Sequence, residues 1–451
     1  MTTPAVPPTP PARTTPPRPA RRAVLGAGAG LAATGALSAC SGFSTGGDSS
    51  DDASGDATGG SSTQLTMLTW AGDAEAKAFQ ALADGFEAQS GTTVKIQVVP
   101  YSEILTAVDT GLRTPTPPDL FRVSYTDVGV YREQGVLAEL PDAGDLEGSF
   151  LPAFWSAVTD DDGTYGIPQH TDTSMLLLNT AAVASAGIGA LPTSPDDAWT
   201  WEQFTDVLGR IRPTRADTFA FAANWQRAGA FRWLNFVDQA GGRLLTEDLT
   251  DVAADDPGLL KALTYTRDLF RNGLVPPSGA ARGQAASDLF TNQTVATCFG
   301  GDFLLPDFEA AGFEYTATFL PRDVNASADL GGNALVAVQD SPNREAALEF
   351  LRYCAGQQQV ADFCAATTVL PTRSDIDPAS LQFAVRPDLM RLYVQQAEAI
   401  RTELVEQVVV PSFNAVNAQL RDRLDEAFLG SDDDTTALRK ITDGVRSVLQ
   451  R

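Results

Sequence analysis

The chain has 451 residues, 43% of them hydrophobic and 20% charged, with a formal net charge of -25. That length exceeds what one ordinary core accommodates, so two or more domains are expected, and the composition is that of a water-soluble globular protein. Such an acidic surface repels nucleic acid and anionic lipid headgroups, and excludes both as partners.

The first 39 residues carry Arg13, Arg18, Arg21 and Arg22 and no acid, so removing them leaves 28 basic against 57 acidic residues, a net -29. Arg21-Arg22, the apolar run Ala23–Ala36 and Leu37-Ser-Ala-Cys40 form a basic region, a short core and a small-residue cleavage site. This is the grammar of an export signal over residues 1–39, and the paired arginines are compatible with either the twin-arginine or the general secretory route. Leu37-Ser-Ala-Cys40 resembles the bacterial lipobox, which makes Cys40 the expected lipidation site, anchoring the chain to the outer face of the cytoplasmic membrane. Residues 41–62 are rich in Ser, Gly, Asp and Thr and cannot bury enough apolar surface to fold. With Cys40 they read as a disordered tether, residues 40–62, whose ends lie roughly 25 Å apart. Three cysteines remain, permitting one internal disulfide, with Cys354–Cys364 nearest in sequence; three buried thiols are the alternative.

After the tether, Gln64–Trp70 alternates as a strand. Ala74–Gln89 has helical apolar spacing at Phe79, Leu82 and Phe86, Thr93–Val99 is a second strand, and Asp119–Ser124 a third. Strands separated by helices indicate a parallel α/β sheet, whose ligands gather beyond the carboxyl ends of the strands. Trp70, Asp73, Tyr101, Tyr125 and Asp127 lie at those ends. Tyr165–Pro168 reads as a strand ending in the polar run Gln169–Ser174, with a second apolar strand at Met175–Leu178. That polar run is either a crossing from one core to another, where a cleft forms, or a loop within one sheet. Thr200 and Gln203 make a capping box ahead of a helix. Phe219–Ala223 is strand-like, and Pro257–Asn272 is a helix. Val295–Phe299, Tyr315–Leu320 and Ala334–Val338 are further strands, with Gly331-Gly332-Asn333 a tight turn. From Glu345 onward the chain is mostly amphipathic helix.

The order of these blocks resembles the extracellular solute-binding proteins of ATP-binding-cassette (ABC) importers, in the family that includes carbohydrate and maltodextrin receptors. The resemblance runs from Leu65 to Leu449. It is carried by Pro118-Asp-Leu-Phe, Gly135-Val-Leu-Ala-Glu-Leu, Tyr165-Gly-Ile-Pro168 with Asp172-Thr173 and Asn179, and Leu191-Pro-Thr with Trp199-Thr-Trp-Glu-Gln-Phe. Gly241-Gly242, Phe319-Leu-Pro321 before Gly331-Gly332, and Glu345-Ala-Ala-Leu-Glu-Phe-Leu complete it. The resemblance implies a two-lobed, type II periplasmic-binding fold of class α/β, hinged about an interlobe cleft. One lobe is expected over 63–169 and 317–370 and the other over 170–316 and 371–451. It implies a monomer that closes on a sugar or oligosaccharide and hands it to ABC permease subunits, with no cofactor and no metal.

Carried over by position, Asp73, Asp127 and Asp172 are the expected acidic ligands, with Gln169, His170 and Asn333 beside them. Phe231, Trp225, Trp233 and Tyr125 are expected to stack on sugar rings, and Phe413, Asn414 and Asn417 lie near a further contact region. The chain departs from the family where Gly301-Asp302-Phe303 replaces a common Gly-Pro-Trp, which puts Asp302 among the ligand candidates. It departs again at Ser174 and Leu178, which stand where the family commonly has an arginine and a tyrosine. An enzyme would have to work with the single histidine, His170, whose neighbour Asp172 would make it a general base. No nucleophile elbow, HExxH, paired CxxC or phosphate loop is present. A glycosidase built on two carboxylates, and a receptor serving signalling rather than import, remain the alternatives.

Overall fold

The computed structural model describes residues 63–212, 217–226 and 228–449. The expected signal segment, Cys40 and the tether therefore lie outside the described residues.

Among the described residues nine strands form two sheets. In chain order they are β1 (Gln64–Thr69), β2 (Thr93–Val98), β3 (Leu120–Ser124), β4 (Ile167–Asp172), β5 (Ser174–Asn179), β6 (Phe219–Ala222), β7 (Val295–Gly301), β8 (Tyr315–Thr318) and β9 (Gly331–Ala337). The first sheet has the order β2-β1-β3-β9-β4 and the second β6-β7-β5-β8. β1 pairs in parallel with β2 and β3, as the strand–helix–strand spacing requires, whereas β9 runs antiparallel between β3 and β4. The helix Asp73–Ser90 joins β1 to β2. It opens with the Gly72 N–H donating to Glu75 Oε2 at 3.3 Å, buries Phe79, Leu82 and Phe86, and stops at Gly91 in the left-handed region. The Thr200–Gln203 capping box forms as read, Gln203 N–H donating to Thr200 Oγ1 and Thr200 N–H to Gln203 Oε1.

β4 belongs to the first sheet and β5 to the second, with only Thr173 between them. The polar run is therefore two buried strand ends rather than a loop, and it carries the chain from one sheet to the other. The return lies between Thr318 at the end of β8 and Gly331 at the start of β9. Boundaries at 169/170 and 316/317 would thus fall inside β4 and β8.

Gly331 and Gly332 are not a turn. They open β9, opposite Asp172 and Thr171 of β4. A Cβ on Gly331 would stand 2.4 Å from both Asp172 carboxylate oxygens, and one on Gly332, at φ 112°, would stand 2.3 Å from the His170 carbonyl. Close approach of the backbones, rather than chain reversal, demands glycine here.

β5 is buried on both faces. Leu176 and Leu178 join one apolar cluster while Met175 and Leu177 join another, closed by Phe290, Phe308, Tyr315 and Tyr393. The first cluster continues from the first sheet into the second, and includes Leu404, Val405, Val408 and Phe413 of the C-terminal helices. Cys298, Cys354 and Cys364 are buried and unpaired, which decides against the Cys354–Cys364 disulfide. Among the described residues no helix is long and apolar enough to cross a membrane.

Candidate functional site

The crossing is held by one ion-paired network. Arg232, on the second-sheet side, gives Nη2 to Asp172 Oδ1 at 2.7 Å and Nη1 to Asp329 Oδ2 at 2.6 Å. Asp172 ends β4 on the outward crossing, and Asp329 lies on the return. Asp329 also accepts from Ser174 N–H and Ser174 Oγ–H, each at 2.8 Å, and its carbonyl accepts from Thr173 Oγ–H at 2.6 Å. Asn224 Nδ2 reaches the same carboxylate at 3.3 Å. Two carboxylates hold the buried guanidinium firmly charged, while burial raises the Asp172 carboxyl against the pull of Arg232. A third carboxyl, Asp302, is fully buried nearby. Its Oδ1 accepts from the Phe303 N–H and its Oδ2 has no partner; burial first, and then Asp172, push it far above the usual carboxylate range.

A second buried network lies in the first sheet. Arg122 on β3 is bonded to Glu75 Oε1 at 2.7 Å and to the Trp70 carbonyl at 2.9 Å, and its guanidinium lies over the Trp70 ring, 4.5 Å from the centroid. Its Nη2 is 2.8 Å from His170 Nε2, which must accept, since a guanidinium has no lone pair to offer. Burial, and then the neighbouring Arg122, lower the His170 pKa to about 3. The Nε2 lone pair of this buried imidazole is engaged by a guanidinium, not by the neighbouring Asp172, whose carboxylate pairs with Arg232. Asn333 is part of the same cluster, 3.0 Å from His170 Nε2.

At the rim the side chains open to solvent. Tyr101, just beyond β2, is 44% exposed and meets Trp70 edge-on at 5.3 Å between centroids. The pKa of the Tyr101 hydroxyl is raised, first by burial of the oxygen and then by Asp127, while Arg232 opposes the rise and Asp172 adds to it. Groups from both sheets thus act on one phenol. Among the described residues Asp127 has only the Thr126 hydroxyl, at 3.1 Å, as a bonded partner, and burial raises its pKa to about 6. From the other side Phe231 is half-buried, with the Arg232 guanidinium 5.3 Å from its ring centroid and Phe413 edge-on at 6.5 Å. Asn417 fixes the Phe231 backbone by accepting its N–H at 2.8 Å.

The expected site residues thus divide. Asp127 and Phe231 stand at the rim with surface to offer. Asp172, Asn333 and Asp302 are at the crossing but buried in its networks. Asp73 is exposed in the first turn of its helix. Trp225 and Trp233 are fully buried, their indole N–H groups spent on the Gly279 carbonyl and the Thr266 hydroxyl, so neither has a face left for a solute. Tyr125 is buried with its hydroxyl on the His170 carbonyl. Gln169 is buried with both amide atoms unpartnered, and Phe413 is core. Sequence reasoning missed Arg232, Asp329, Arg122 and Glu75. The one signal for Arg232 was a charge set inside the aromatic run Phe231–Trp233.

With this geometry in place, the chain can be compared with known proteins. The family profile of the bacterial extracellular solute-binding proteins matches residues 81–389. The chain belongs to that family. Similar proteins include the diacetylchitobiose-binding protein DasA of Streptomyces coelicolor, 25% identical over 345 residues that make up 73% of this chain and 78% of the relative. The galactooligosaccharide-binding protein of Bacillus subtilis is 20% identical over 71% of this chain and 76% of its own. Among solved structures, a solute-binding protein of an ABC transporter from Thermotoga lettingae, bound with alpha-D-tagatose, superposes with a TM-score of 0.72 at 24% identity. It is covered in full by 86% of this chain. The GacH receptor of Streptomyces glaucescens gives 0.72 at 20% identity, over 86% of this chain and 99% of its own. At such identities these likenesses speak for the fold, which is the two-domain α/β fold of periplasmic binding proteins. This solute-binding protein therefore shares the fold of sugar-bound receptors of ABC transporters.

Proposed function

We propose that this solute-binding protein is exported, held at the outer face of the membrane by lipid on Cys40, and captures a sugar or oligosaccharide between its two sheet-bearing halves for delivery to an ABC permease. The observation that carries the reading is the rim. Asp127, whose carboxylate meets the Thr126 hydroxyl, and the partly exposed ring of Tyr101 belong to one half, and the half-buried ring of Phe231 belongs to the other. Carboxylates accept from hydroxyl pairs, and aromatic faces take the C–H side of a pyranose ring. The named specificities of the relatives, diacetylchitobiose and galactooligosaccharides, point the same way. The halves comprise the first sheet with its helices and the second sheet with most of the C-terminal helices, and they close about the Thr173 and 319–330 crossings.

The mature protein should show a thermal shift with at least one carbohydrate of a broad panel. No shift with any sugar, together with a shift by a peptide, a polyamine or a phosphate ester, refutes the substrate class. Cys40→Ser should release the protein from the membrane fraction; retention there refutes the anchor.

A further inference from the structure

A receptor that closes needs its resting angle held by something. We infer that Arg232 is a positioning residue that pins the two crossing segments to each other and so sets the resting angle between the halves. The inference rests on the two-lobed receptor reading, and goes beyond it by assigning the residue that holds that angle.

Three observations carry it. Arg232 bridges Asp172 of the outward segment and Asp329 of the return, and both pairs are almost wholly withdrawn from solvent. Asp329 is bonded in turn to Thr173 and Ser174, so four residues from the two crossings and the Arg232 guanidinium form one cross-braced strut. Two residues beyond Asp329 the return enters the β9 ladder, where Gly331 lies opposite Asp172, its carbonyl accepts from Thr171 Oγ–H at 3.1 Å, and a Cβ on it would crowd the Asp172 carboxylate. Rotation of one crossing against the other would separate buried opposite charges. Arg232 also adjoins Phe231, so a solute on that ring presses on the residue that sets the angle.

The test reads the distance between the halves without solute. In a Cys40→Ser background, dyes are attached at Glu87→Cys and Arg439→Cys, both exposed and on helices of opposite halves, the three native thiols being buried. The parent should give one narrow single-molecule transfer distribution. Arg232→Met should broaden it and add a population at longer separation, and Arg232→Lys, able to keep one of the two pairs, should fall between. Gly331→Ala, whose Cβ would stand 2.6 Å from Arg232 Nη2, should loosen the same strut from the opposite side. An unchanged distribution in Arg232→Met, even with an earlier melt, overturns the inference, because a merely structural arginine would alter stability alone. Where Arg232→Met does not fold, Asp329→Asn takes its place, with a broadened distribution supporting the pin and an unchanged one overturning it. Since no solute is used, the outcome is separate from whether the solute is a sugar.

Discussion

Asp127→Asn should make this protein more stable and a poorer binder at the same time. An unfolded aspartate ionises near 3.9, whereas burial carries folded Asp127 to about 6. Between those values the folded chain holds the extra proton, so this group's contribution to stability is present in acid and is lost as pH rises from about 4 to about 6. A displacement of that size corresponds to about 3 kcal/mol, and partial solvent contact reduces it to about 2 kcal/mol. Asparagine cannot ionise and escapes the loss. Urea unfolding of Asp127→Asn at pH 7.5 should therefore give a stability about 2 kcal/mol above the parent, with the two converging near pH 4. Titration calorimetry with the best carbohydrate of the panel should show the affinity reduced roughly 10- to 100-fold, the worth of a charge-assisted hydrogen bond. Stability bought at the expense of function marks a residue kept for binding. A variant less stable than the parent at pH 7.5, or one that binds as well, refutes the reasoning.

Phe231→Ala should weaken carbohydrate binding on the order of tenfold or more while lowering the melting temperature little, since its ring is only half-buried; calorimetry with a parallel melt checks both. Trp225→Ala should do the reverse, costing about 3–5 kcal/mol in urea unfolding with unchanged affinity in the folded fraction. The single histidine gives one pair of imidazole C–H signals, Cε1–H and Cδ2–H, neither of which should titrate between pH 4.5 and 8. Because its folded pKa lies near 3, His170 contributes stability above the unfolded value of 6.5 that is lost as pH falls towards 3. The thiols of Cys298, Cys354 and Cys364 should resist an aromatic disulfide reagent in the native protein and react on unfolding; rapid reaction of any one contradicts its burial.

What could be read from the sequence was local. Alternation gave β1 and β2 within a residue of their ends, and the Thr200–Gln203 box located its helix, because each is decided within a few residues. Gly331–Gly332 was misread since a turn and a close backbone approach call for the same residue. The aromatic run Trp225–Phe236 was divided wrongly between cleft and core because stacking on a sugar and filling a core both select large rings. The buried arginines were out of reach for another reason. Arg232 meets Asp329 across 97 positions and Arg122 meets Glu75 across 47, and no local pattern announces a charge destined for burial.

One apolar cluster runs from the first sheet into the second and includes Leu404, Val405 and Phe413. In the proposed clamp, swinging the halves wide would wet those side chains, and water would push them back together. Oil would then act as the spring of such a hinge.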